Sequence, residues 1–138
     1  MKITSQWLEK RCFVAANEHG NSIVMDGTPA SEGLKRGASP MEVLLMGAAG
    51  CSSIDVIGAL QEQQQDVLDC ITTVEGERAE TSPRYFTQIH FHFKVVGRNL
   101  QPELVAKAVQ ESADKYCSAC ATLGKAAKMS YSHEIVIG

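Results

Sequence analysis

The sequence predicts an α+β fold in a single domain spanning residues 1–138. Three features point there: a run of short strand-like stretches at the N-terminus, one long apolar helix after it, and two long strands followed by two shorter helices and a last strand. That order is not the regular strand–helix alternation of a doubly wound sheet. Long antiparallel strands covering buried helices are the expected arrangement.

Residues 3–7, 11–15 and 22–26 read as strands separated by the turn-like "EK" and "NEHGN", with Ile3, Ser5 and Trp7 on one face of the first. The stretch "GTPASEGLKRGASP" is rich in glycine, proline and small polar residues, and is a loop. Ser39-Pro40-x-Glu42 then opens a helix: Ser39 serves as N-cap, Pro40 sits at the first helical position, and Glu42 closes a capping box. The helix is expected to run to about Gln65, where "QEQQQD" turns polar. It is apolar nearly all round, so it belongs in the interior, in part against a second subunit.

Residues 67–80 alternate moderately. In "RYFTQIHFHFKVVG" the pattern is plain, with Ile89, Phe91, Phe93 and Val95 on one face and Gln88, His90, His92 and Lys94 on the other. "TSPR" makes the turn between the two. Residues 102–115 form a second helix, with Leu104, Val105, Ala108, Val109 and Ser112 on one stripe. Residues 117–127 give a short third helix and residues 130–137 a final strand.

Composition excludes several function classes. A net charge of −3, with no basic run, gives no footprint for nucleic acid or anionic lipid. The N-terminal "MKITSQWLEKRC" has no signal-peptide core, and the apolar stretch around residues 43–54 is too short and interrupted to span a bilayer. A cytoplasmic protein is expected. The five cysteines are odd in number and without a disulfide-framework spacing, so reduced thiols are expected.

The chemistry therefore turns on cysteine. Cys51 sits in "GAAGCSS", where no bulky side chain blocks approach to its sulfur, although a buried cysteine is often only a small hydrophobe. Downstream lies Cys117-Ser-Ala-Cys120. As a zinc half-site this pair lacks a second ligand pair, unless Cys51 and a histidine complete it. As a thioredoxin-type motif it lies outside the expected βαβ unit. As a resolving thiol it would serve Cys51. His90 and His92 share a face with Gln88 and Lys94, which reads as solvated rather than metal-binding. Asp55 follows Cys51 by one helical turn, where a bare carboxylate would oppose a thiolate unless a cation paired with it; Asp55 is expected to be tied to a partner rather than catalytic. No cofactor and no metal are assigned.

Together, "SPMEVLLMGAAGCSSIDVI" and "KYCSACATLGKAA", with "MDG" at residues 25–27, resemble the OsmC/Ohr family of osmotically inducible and organic-hydroperoxide-resistance proteins. The resemblance is closest to the family's YhfA-like branch and covers essentially the whole chain. It implies an intertwined homodimer, with strands wrapped around long central helices. It also implies a thiol-dependent peroxidase acting on small organic hydroperoxides: Cys51 as peroxidatic residue, Cys117 as resolving residue, an intramolecular disulfide between them, and an external dithiol reductant. Cys120 is extra.

In the family a glutamate holds the arginine that activates the thiol. The counterpart here is Glu42, one place later than in many members, where Met41 stands after the proline; Arg11 and Arg36 are the available cations. The alternative is a non-peroxidatic member binding a small apolar or thiol-reactive ligand at the dimer-interface pocket. Cys51–Cys117 rather than Cys117–Cys120 is the expected bond, because i, i+3 Cβ atoms within the helix read over residues 117–127 are about 5–6 Å apart, beyond the roughly 3.5–4.5 Å of a disulfide.

Overall fold

The computed structural model describes residues 1–138, which fall into two compact units, Met1–Leu44 and Leu45–Gly138. The first unit holds an antiparallel sheet in the order β1 (Ile3–Glu9), β2 (Cys12–Asn17), β3 (Ser22–Asp26). Its register pairs Trp7 with Phe13 and Phe13 with Met25, so one face collects Ile3, Trp7, Phe13, Ala15, Ile23 and Met25. Trp7 and Ile3 remain more than half exposed.

After β3 the loop is tied to Asp26. Its carboxylate accepts hydrogen bonds from the Thr28 N–H (2.8 Å), the Thr28 hydroxyl (2.5 Å) and the Arg36 N–H (3.0 Å). These donors hold the buried carboxyl below its ordinary range, the Arg36 N–H most of all. Gly37 is needed where the loop returns past β3, because a Cβ there would sit 2.2 Å from the Val24 carbonyl oxygen.

Helix α1 (Pro40–Glu62) starts as the capping box predicts. The Glu42 N–H donates to Ser39 Oγ at 3.3 Å, and the Ser39 N–H donates to Glu42 Oε1 at 2.9 Å. The helix ends at Glu62 rather than near Gln65, and Gln64 takes a positive φ of 57° as the chain turns into the next strand. Buried positions recur every four residues: Ala48, Ser52, Val56 and Leu60. The rest is largely uncovered, with Ile54 74% and Met46 57% exposed. Contrary to the expectation of a stretch too short and interrupted to span a bilayer, the helix is long and apolar enough to do so by length and composition alone.

The second unit is built on a sheet in the order β4 (Asp66–Arg78), β5 (Phe86–Arg98), β6 (Lys128–Ile137). In β5, Ile89, Phe91, Phe93 and Val95 are fully buried, as the period-two pattern predicts. The opposite face is not simply solvated. His90 and His92 are half-buried and hydrogen-bonded to Ser130 and Ser132 of β6 at 2.7–2.9 Å, and His92 Nε2 lies 3.4 Å from Glu134.

One strand differs from the all-antiparallel expectation: β6 runs parallel to β5. The connection between them carries two helices, and a crossover of that length can return the chain to the same end of the sheet. Truncating the core is the direct check on this arrangement. Phe93→Ala is expected to cost about 3–5 kcal/mol, measured as a lower urea midpoint at unchanged slope.

Candidate functional site around Cys51 and Cys117

The site is shaped by the way the second helix stops. Residues 102–115 were expected as one α-helix, but α2 (Pro102–Glu111) gives way to a single wide turn, Ser112–Tyr116. The turn is closed by the Cys117 N–H, which donates to the Ser112 carbonyl at 2.9 Å. Ser112 is 1% exposed, so its hydroxyl needs a partner. It finds two on α1, the Ser52 carbonyl at 3.4 Å and Asp55 Oδ2 at 3.3 Å. Asp55 thus has a partner, a neutral hydroxyl rather than a cation. A second hydroxyl contact, Ser53 Oγ to Thr72 Oγ1 at 2.7 Å, ties α1 to β4.

The wide turn delivers Cys117 in an extended conformation, with φ −74° and ψ 100°. Cys117 is therefore not inside a helix. It caps α3 (Ser118–Leu123), which is shorter than the expected 117–127, and its Sγ accepts a hydrogen bond from the Cys120 N–H at 3.3 Å. The in-helix spacing argument against a Cys117–Cys120 bond falls with this geometry.

Cys51 Sγ, a carboxylate oxygen of Asp55 and Cys117 Sγ all lie within 4.8 Å of one another. Cys51 is half-buried, and Cys117 and Cys120 are buried. Burial pushes the Cys117 thiol well above its ordinary range, helped by its contacts with the Cys120 and Cys51 thiols, so it is protonated at neutral pH. The Tyr131 hydroxyl is raised too, by burial first and then by Cys120 beside it. Its ring stacks on Phe91 at 5.1 Å.

Two thiols and a carboxylate converging from two elements can do two kinds of chemistry. The sulfurs can exchange a disulfide, or the three atoms can supply three of the four donors of a tetrahedral zinc site. Beside Asp55 a cavity of about 490 Å³ opens between Ile54, Gly58, Ala59 and Tyr116, with Glu62 and Glu111 at its wall.

Glu42 has other company. Its carboxylate accepts from Lys35 Nζ at 3.1 Å as well as from Ser39. Ser39, through its N–H and then its hydroxyl, followed by Lys35, holds Glu42 down to about 2. The two arginines pair elsewhere, Arg36 with Glu9 and Arg11 with Glu32, and both line a cavity of about 560 Å³ that also includes Cys12. The turn at Ser112, the Ser112–Asp55 contact and the Lys35–Glu42 pair were missed from sequence. Ser112 was placed on the apolar stripe of α2, and its polarity there was the available signal.

The profile of the OsmC-like protein family matches residues 32–132. "Protein YhfA" of Escherichia coli K12 is 43% identical over 136 residues, covering 99% of this chain and 98% of that protein. Among solved structures, an OsmC-like protein from Mycoplasma pneumoniae superposes with a TM-score of 0.83 at 18% identity, covering 98% of this chain and 96% of that one. The organic hydroperoxide resistance protein OhrB of Bacillus subtilis does so with a TM-score of 0.62 at 18% identity, covering 96% of each. At these identities the two structures speak to the fold.

The capping box makes a checkable pH dependence. Glu42 is held below its ordinary 4.5, so its contribution to stability is complete above that value and lost as pH falls towards about 2. The carboxylate is exposed and screened, which keeps the effect small. Urea midpoints measured across this acid range are expected to fall less steeply in Glu42→Gln than in the wild type.

Proposed function

The chain belongs to the OsmC-like family, and we propose that it is a thiol-dependent peroxidase that reduces organic hydroperoxides through Cys51 and Cys117. The observation that carries this reading is the approach of the two sulfurs, from separate elements, to within 4.8 Å. The name of the Bacillus subtilis neighbour supports a peroxide-related role for the fold.

In the proposed cycle the Cys51 thiolate attacks the distal oxygen of the hydroperoxide. A sulfur–oxygen bond forms, the oxygen–oxygen bond breaks, and the departing alkoxide takes a proton to leave as an alcohol. Cys51 is left as a sulfenic acid. The Cys117 thiol then attacks Cys51 Sγ, its proton leaves with the hydroxyl as water, and the Cys51–Cys117 disulfide forms. An external dithiol restores both thiols. Burial keeps Cys117 from meeting peroxide itself and leaves it for the second step, in which it gives up its proton as it attacks.

Glu42 enters as a positioning residue, with Lys35 as its observed cation and Arg11 or Arg36 as the arginine the family resemblance calls for. The two roles separate by experiment. If Glu42 positions an activating cation, Glu42→Gln slows peroxide turnover and shifts the pH profile of Cys51 alkylation by iodoacetamide. If it only caps α1, both stay unchanged.

We infer further that the working form is a homodimer in the cytoplasm. The uncovered apolar surface of α1, with Met46 and Ile54 exposed, supports this. So does the apolar groove of about 430 Å³ lined by Ile3, Ala15, Ile23, Met25 and Val43. Interfaces of obligate dimers are large and apolar, and a second copy of the chain would cover such surfaces. Sedimentation at micromolar concentration is expected to give the dimer, and a monomer there would contradict it.

The deciding assay for the activity follows loss of cumene hydroperoxide or hydrogen peroxide, with dithiothreitol or lipoamide as reductant. The wild type is expected to consume organic hydroperoxide, and Cys51→Ser to fall to the uncatalysed rate. Equal catalysed consumption by Cys51→Ser would overturn the assignment of Cys51, and a wild type no faster than the uncatalysed rate would leave ligand binding at the same site as the reading.

A further inference from the structure

We propose that Cys120 is a third redox thiol, which takes the disulfide from Cys51–Cys117 by exchange and leaves it as Cys117–Cys120, with Cys51 free again. The inference rests on the peroxidase reading for its oxidant and adds a residue and a step to it.

Cys117 is the shared partner. On one side its sulfur lies within 4.8 Å of Cys51 Sγ. On the other it accepts the Cys120 N–H at 3.3 Å, and the Cys120 thiol is one of the groups close enough to raise the Cys117 thiol. The reason is the wide turn at Ser112–Tyr116. It ends with Cys117 extended at the cap position, so its side chain folds back over the first turn of α3 onto the Cys120 N–H instead of lying along a helix.

Exposure separates the three thiols. Cys117 and Cys120 are each 3% exposed, while Cys51 is half-buried and reachable. The oxidant therefore meets Cys51, and the exchange moves the oxidised bond inward, beside the Tyr131 hydroxyl.

The step balances without any added reagent. Cys120 gives up its proton and attacks Cys117 Sγ. The Cys117–Cys120 sulfur–sulfur bond forms, the Cys51–Cys117 bond breaks, and Cys51 leaves as a thiolate that takes up a proton. Two thiols' worth of oxidation stays in the chain throughout. Only its location changes. The released Cys51 can react with a second hydroperoxide before any external dithiol arrives, ending as a sulfenic acid.

Two measurements test this on the intact chain. In the first, the wild type is oxidised with diamide, free thiols are alkylated, and the bonds are mapped by peptide mass spectrometry. The expected resting bond is Cys117–Cys120 with Cys51 alkylated; a resting Cys51–Cys117 bond with Cys120 alkylated overturns the proposal. In the second, cumene hydroperoxide is titrated without reductant, with quenched samples mapped over time. Wild type is expected to consume about two equivalents per chain, the Cys51–Cys117 bond rising first and then decaying, whereas Cys120→Ser consumes about one and keeps that bond. Equal consumption by the two proteins overturns the relay. A wild type that consumes no peroxide overturns the peroxidase reading instead, and the diamide map then decides the exchange by itself.

Discussion

The hydrogen bond from the Cys117 N–H to the Ser112 carbonyl sets most of what happens in this molecule. An ordinary α-helical turn would carry residues 112–117 onward along α2. The wider turn instead buries the Ser112 hydroxyl against α1 and swings Cys117 into an extended conformation at the start of α3. Both consequences are needed at once. A hydroxyl that is 1% exposed costs on the order of 1–3 kcal/mol if left without a partner, and it is satisfied only where Ser52 and Asp55 present acceptors. That requirement fixes which face of α1 meets the turn, and Cys51 lies one helical turn before Asp55 on that helix. The proximity of the two sulfurs thus follows from satisfying one buried serine.

A second constraint is the apolar excess of α1. Its buried positions recur at intervals of four, which is enough to seat one side of the helix. Residues such as Met46 and Ile54 are left without cover. Removing apolar surface from water gains about 25 cal/mol per Å², so an uncovered face of this kind favours association. A site on a helix shared with a subunit interface would also exclude water from the sulfur chemistry.

Much of this was legible in the residues. Alternation in β5 gave the buried face directly, because burial on one side of a sheet leaves a period of two. Ser39, Pro40 and Glu42 marked the start of α1 because capping depends on local hydrogen bonds. Cys51 and Cys117 stood out through the family resemblance rather than through spacing. What stayed hidden was set by tertiary contacts. The parallel course of β6 depends on how the crossover packs, and the end of α2 at Glu111 on a partner for Ser112 that lies far away in sequence. The place of Cys120 was obscured for the same reason: as members of one helix, residues 117 and 120 would hold their Cβ atoms about 5–6 Å apart, whereas Cys117 in fact caps α3 in an extended conformation. The Lys35 contact of Glu42 depends on a loop whose path is set by Asp26.

The central claim is that Cys51 is the thiol that meets peroxide and Cys117 the one that answers it. It is tested most directly by trapping the first oxidised species with dimedone in Cys117→Ser exposed to one equivalent of cumene hydroperoxide. The account predicts a dimedone adduct on Cys51, with Cys12, Cys70 and Cys120 unmodified. An adduct on another cysteine, with Cys51 still a free thiol, would contradict it.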